Sequence, residues 1–363
     1  MSIKFIYNNI QESNIFKMNI KNLAESAQRA VYSLNGYIKA TVKYLQPSLA
    51  MKMFDAQVSP ILEYSSEIWL SDNKGDIAEI EKVHLQFMKS LLKIKPSTCT
   101  TALYAELGRF PMKLKMQIRM LKYWQRVLDL PVHHIVRKSY ESLLELNDLG
   151  QKNWCTHVFD ILKSVSFEHI WQTQTMTNRD LLQVKEKLYT NFSSQCMTSI
   201  NDTNQLPKLR TYKTFKKEFK LEPYLSSPLN PHYTLALTRF RISSHCLAIE
   251  TGRYTHPKTP EEKRLCIYCP NKVVENEVHF LIDCPNYTQE RTEFLNAVSA
   301  FIPNLAELDS NNKFIKILSS KTPEVLHYLG KFIYKSFEKR ASGGETVEAS
   351  SASVSALSSD STA

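Results

Sequence analysis

The sequence predicts a mainly α-helical protein: a multi-helix bundle, then a small metal-stapled module, then a disordered tail. Three observations carry that prediction. Only eight glycines occur in 363 residues, which argues against a sheet-rich fold or a phosphate-cradling loop. Apolar residues recur at three- and four-residue spacing along most of the chain, the period that lays one helix face on a core. Residues 266–284 read CIYCPNKVVENEVHFLIDC, a C-x2-C-x9-H-x4-C arrangement that suits a compact stapled loop.

In chain order, Leu23, Ala27, Val31, Leu34, Ile38, Val42 and Leu45 place a helical stripe on residues 21–45. Pro47 opens a second helix, with Leu49, Met53 and Phe54 on one face, that stops near Pro60. After Gly75 a third carries Ile77, Ile80, Phe87, Leu91 and Ile94 inward and Glu79, Glu81, Lys82 and Lys89 outward. Thr100 or Thr101 caps a short helix ending at Gly108, and Pro111 starts one that reaches Leu130. Helical spacing returns over 135–146, 154–165 and 179–189, then breaks in the polar stretch 201–207. Leu209, Tyr212, Phe215 and Phe219 form an apolar stripe on a basic helix near 208–220, and SSPLNP at 226–231 ends that segment. Further helices are expected over 233–249, from Tyr287 through Arg291 and Phe294, and over 323–339, with a loop at 255–260. Eight serines and almost no large apolar side chains among the last 23 residues predict disorder there.

These signals divide the chain into an N-terminal segment (1–20), a helical region (21–130), a helical linker region (131–205), a basic region with the Cys/His module (206–300), a C-terminal helical segment (301–340) and the serine-rich tail (341–363). The formal net charge is +10; the last 23 residues hold three acids and no Lys or Arg, leaving +13 on residues 1–340. Such a balance favours polyanionic partners, nucleic acid before membrane surfaces. No secretory signal is visible at MSIKFIYNNI, and no apolar run approaches the ~20 residues that span a bilayer. Cys99, Cys155, Cys196 and Cys246 sit at unpatterned spacings, which fits a reducing, intracellular setting, cytoplasmic or nuclear.

Cys266, Cys269, His279 and Cys284 offer three thiolates and an imidazole, the donor set that closes a tetrahedral Zn²⁺ site. Four protein ligands leave no open position, so one zinc per chain is expected to hold structure and not to activate water. His245 and Cys246 could serve as alternative ligands, although a packed or hydrogen-bonded role is the simpler reading. Tyr287 and Arg291, four residues apart after Cys284, are read as support for the metal site, with phosphate contact through the guanidinium as the alternative. The chain has no Asp-Asp pair, no Walker A loop, no G-x-S-x-G elbow and no H-E-x-x-H helix, and no catalytic centre is expected. Lys208, Arg210, Lys213, Lys216, Lys217, Arg239, Arg241, Arg253, Arg264 and Arg291 are the candidate nucleic-acid contacts. For these charges a solvated outer face and phosphate contact are equally open, while Tyr212, Phe215 and Phe219 are more simply core.

The run RISSHCLAIETGRY (241–254), with RLCIYC, ENEVHFLIDCPNY and Arg291, resembles the C-terminal segment of LINE-type (non-LTR) retrotransposon polyproteins. Upstream, FDAQVSPILEYSSEIW (54–69), IEKVHLQFMKSLLKIKPST (80–98), YAELGRFP (104–111) and KYW (122–124) are similar to the helical region that follows the reverse transcriptase palm, as is YKTFKKEFKLEPYL (212–225). The matching order covers roughly residues 21–295, with Tyr64-Ser65 where the family usually has Tyr-Gly. The resemblance implies a thumb-like bundle and a CCHC zinc-binding end. The polymerase fingers, palm and catalytic aspartates would lie ahead of Met1. It implies a non-catalytic fragment binding RNA or an RNA–DNA hybrid. Alternatives are an accessory subunit for a reverse transcriptase core supplied in trans, or a degenerate remnant with no selected activity.

Overall fold

The computed structural model describes residues 15–41, 45–70, 74–202 and 204–355, with backbone alone from Gly343 onward. The described residues are mainly helical, and their only β pairing is two isolated bridges. No described helix is long and apolar enough to cross a membrane. The chain forms two compact units. One comprises 1–91, 104–198 and 219–221; the other comprises 92–103, 199–218 and 222–363.

The first unit begins with α1 (Ile15–Thr41), α2 (Pro47–Gln57), the short α3 (Ser59–Leu62) and α4 (Ser66–Trp69), and α5 (Lys74–Leu91). On α1 the residues Ile20, Ala24, Ala27, Val31 and Leu34 are buried. Their spacing of three or four keeps them on one face, and that face packs on α5. The helix starts before the expected Lys21, and residues 42–44 of the expected stripe lie outside the described residues. Next come α6 (Thr100–Leu107), whose last turn belongs to this unit, and α7 (Met112–Leu128). Met112, Met116, Met120 and Trp124 make a fully buried stripe along α7. Between α6 and α7, Gly108 adopts φ +57, and a Cβ there would stand 2.4 Å from the Leu221 backbone nitrogen. Only glycine tolerates both conditions. The unit closes with α8 (Ile135–Asp148), α9 (Trp154–Lys163), α10 (Glu168–Thr173) and α11 (Asn178–Asn201). All but the last three residues of α11 belong to it, and the helix runs well past the expected end at Tyr189 to the polar break.

The second unit holds α12 (Tyr212–Phe215), α13 (Pro231–Arg241), α14 (Ala248–Thr251), α15 (Thr288–Ser299), α16 (Ser310–Leu318) and α17 (Pro323–Ser355). Both α13 and α15 pack on α17. The expected last helix over 323–339 is present, and its helical backbone runs on into the serine-rich tail; residues 356–363 lie outside the described residues.

Two expected helices are corrected. The segment 208–220 is not one helix but a 3-10 turn at Pro207–Leu209 and the four residues of α12. Lys216 leaves α12 in extended backbone, and its buried ammonium pairs with Glu222. Partners six residues apart do not share a helix face. Leu209, Tyr212 and Phe215 are buried core, and Phe219 packs on Phe110 and Phe192 in the first unit. The expected helix over 233–249 likewise stops at Arg241. Ser243 takes a left-handed conformation at φ +56, and the turn brings His245 to Glu277 (3.0 Å) and Ser244 to the Lys95 amide (3.0 Å).

Candidate metal centre

The metal loop starts where Arg264 anchors it. Its guanidinium donates to the carbonyls of Thr259 and Ile249, each at 2.9 Å, and its stem passes so close to Gly252 that a Cβ there would lie 2.7 Å from Arg264 Cγ. The chain then folds back as a narrow loop. The Cys266 amide donates to the Val273 carbonyl (2.8 Å) and the Glu275 amide to the Arg264 carbonyl (2.9 Å). The reversal is completed at Lys272, φ +46. A π-helical turn, His279–Asp283, follows and ends on Cys284.

This path gathers Cys266, Cys269, His279 and Cys284 so that their ligand atoms all lie within 4.8 Å of one another, every one of the four residues buried. Cys266 Sγ is 4.0 Å from Cys284 Sγ, and Cys269 Sγ is 3.5 Å from His279 Nε2. Those separations fit a shared ion. Tetrahedral ligands with metal–sulfur bonds near 2.3 Å stand about 3.8 Å apart, whereas a disulfide brings sulfurs to about 2.05 Å. Burial pushes the Cys266 and Cys284 thiols up and the His279 imidazole down. The imidazole is thus held neutral and ready to ligate, and a cation supplies the charge that buried thiolates need. The cluster could therefore hold a metal ion.

The surroundings tie the loop down. Between its ligands, Phe280 enters the apolar core and meets Phe337 (4.7 Å), Tyr287 (4.9 Å) and Phe240 (5.6 Å) between ring centroids. Arg291 donates to the Leu281 (2.9 Å) and Cys284 (2.6 Å) carbonyls, holding the π-helical turn from behind. Glu275 and Glu277 are both 1% exposed. Glu277 accepts from His245 (3.0 Å) and from Arg210 (2.9 Å). Burial alone would raise its pKa, but the His245 hydrogen bond and the Arg210 charge win and hold it at about 2. Glu275 approaches Cys266 Sγ (3.6 Å), accepts from the Ala248 amide (2.7 Å), and takes a bidentate pair from Arg340 of α17. The Arg340 guanidinium also lies 4.3 Å over the Tyr268 ring. His245 is thus a partner of Glu277 and Cys246 is exposed; neither belongs to the ligand cluster. Glu275, Glu277 and Arg340 were missed in the sequence. Their one trace there is a pair of acids two residues apart inside the Cys/His excursion, in a chain otherwise rich in cations.

The candidate nucleic-acid residues divide sharply. Lys216, Arg241, Arg264 and Arg291 are buried, which corrects their place among the candidate nucleic-acid contacts and, for Arg291, removes the phosphate alternative to its reading as support. Arg241 reaches Glu222 (2.8 Å) and the Leu318 carbonyl (2.7 Å), because a buried guanidinium must have acceptors. Arg210 bridges Glu250 and Glu277, and Arg253, its side chain 11% exposed, turns to Glu250. Lys208, Lys213, Lys217 and Arg239 retain surface exposure. The first and last are drawn to one stretch of chain. Lys208 Nζ donates to the Ser97 carbonyl (3.2 Å) and Arg239 Nε to the Lys93 carbonyl (2.9 Å). That stretch adds the exposed Lys93 and Lys95, and Tyr254 lies against Lys208. No known protein family, no curated protein and no solved structure matches the chain.

Proposed function

We propose that the chain is a zinc-organised nucleic-acid-binding protein without a catalytic role, and that it binds RNA or an RNA–DNA hybrid along the backbone. The observation that carries this reading is the buried Cys266, Cys269, His279 and Cys284 cluster at separations suited to one tetrahedral ion. Three sulfurs and one imidazole with no open position match structural Zn²⁺ better than a hard, oxygen-seeking cation. The ion would hold the loop that carries Glu275 and Glu277, which in turn fix Arg340, Arg210 and His245. The basic strip of Arg239, Lys93, Lys95 and Lys208 would supply the phosphate contacts. The resemblance to LINE-type polyproteins supports RNA as the polyanion and a thumb-like role for the first unit.

Two measurements test the reading. Native mass spectrometry should find one zinc per chain, removed by a chelator. Fluorescence anisotropy with labelled RNA should show affinity falling with salt at a log–log slope of about −3 for four phosphate contacts on a single strand. A flat salt response removes the electrostatic interface. A chain with no bound metal that still folds around residues 264–284 removes the zinc.

A further inference from the structure

The large aromatic side chains of the second unit are mostly hidden: Tyr212, Tyr224, Tyr287, Phe240, Phe280 and Phe314 are fully buried. Tyr254 is different. It is 51% exposed, and it is nonetheless held in place. Its amide donates to the Thr251 carbonyl (3.0 Å). Its hydroxyl donates to Ser97 Oγ (3.3 Å) and also meets the Lys208 ammonium, which lies 5.0 Å from the ring centroid. The loop beyond is closed by a Thr255–Thr259 hydroxyl contact at 2.8 Å. A ring fixed at its backbone and at its hydroxyl loses little further freedom when something stacks on it.

We propose that Tyr254 is a base-stacking platform, and that the surface around it takes single-stranded nucleic acid in preference to duplex. This rests on the nucleic-acid reading above. In a duplex the base faces are already stacked on each other, so an exposed ring beside the groove meets only sugar and phosphate. In a single strand each base presents a free π-face, and an aromatic ring next to phosphate-neutralising cations is the arrangement that captures it. Lys208 serves both parts: it fixes the ring and places a positive charge where the phosphate adjoining the stacked base would run.

The test uses the full chain with zinc present and a ~12-nucleotide pyrimidine RNA, matched against a hairpin duplex at the same salt. The wild type should bind the single strand more tightly. Tyr254→Leu should lower single-strand affinity roughly five- to a hundredfold while leaving the duplex affinity and the salt slope unchanged. Tyr254→Phe, which keeps the ring, should retain most of the binding. Unchanged single-strand affinity in Tyr254→Leu would overturn the proposal. So would an equal loss for both ligands, which marks a structural role. Wild-type protein that binds neither ligand sinks the nucleic-acid reading itself and this proposal with it.

Discussion

The first unit and the metal loop are held by opposite means. In the first unit the interior is mostly apolar, with buried His84, paired to Glu81, and buried Glu106 as exceptions: Phe54 stacks on Phe87 at 4.8 Å, and α7 presents an unbroken buried stripe. Its Asp55–Arg109–Lys115 network lies at the rim, with side chains 17–35% exposed. Around the metal loop the charges are inside, and Glu275 and Glu277 are each 1% exposed. Truncating one apolar side chain costs about 2–5 kcal/mol but leaves its neighbours without an unmet charge. A buried charge network fails abruptly, since removing one partner leaves another uncompensated in a poor solvent. The metal loop should therefore be the all-or-none part of the molecule.

The largest effect should come from the ion. Structural zinc contributes an apparent ~10–16 kcal/mol in small zinc-finger peptides near neutral pH. Cys269→Ser is expected to unfold the loop around 264–284 and leave α1 to α11 helical. Hydrogen exchange by residue checks this, and equal loss of protection throughout the chain would erase the contrast between the regions.

A smaller effect should follow from Arg340. The Glu275 carboxylate stands 3.6 Å from Cys266 Sγ, and once the thiols are ionised that proximity is repulsive. Arg340→Gln leaves the carboxylate uncompensated and should weaken zinc binding by roughly ten- to a hundredfold. Pairing it with Glu275→Gln should restore most of the affinity in a competitive chelator titration. A double variant as weak as Arg340→Gln alone would mean that the arginine acts by packing and not by charge.

The mildest test is acid. Glu277 and Asp55 both have pKa values held down at about 2. For Asp55, burial would raise the value, but the hydrogen bonds from Arg109 and Lys115 prevail. A carboxylate depressed in the folded state adds stability above its unfolded pKa, near 4, and loses it as pH falls toward 2. Asp55→Asn should therefore flatten the acid dependence of the first unit only slightly, because a side chain 35% exposed is well screened. Glu277→Gln should change the acid dependence of the second unit more, measured on zinc-loaded protein with the metal content followed alongside. Equal effects at the two sites would show that burial does not separate them.

Much of this was legible in the sequence, and the exceptions have physical causes. Spacing of three and four placed α1, α2, α5 and α15, because an amphipathic face is a local property of a chain, and Pro111 marked the start of α7. The Cys/His spacing pointed to the ligand cluster, because four ligands for one ion lie within nineteen residues. Only the tertiary structure decided the fate of the charges. Lys216, Arg241 and Arg264 read as surface cations because residue spacing does not mark the carboxylates and carbonyls that bury them. Glu222 and Leu318 become their partners only once the chain has turned back on itself. The same holds for the break at Ser243 and for the transfer of 92–103 into the second unit. Periodicity reports which face of an element is buried; it carries no information on which distant group waits there.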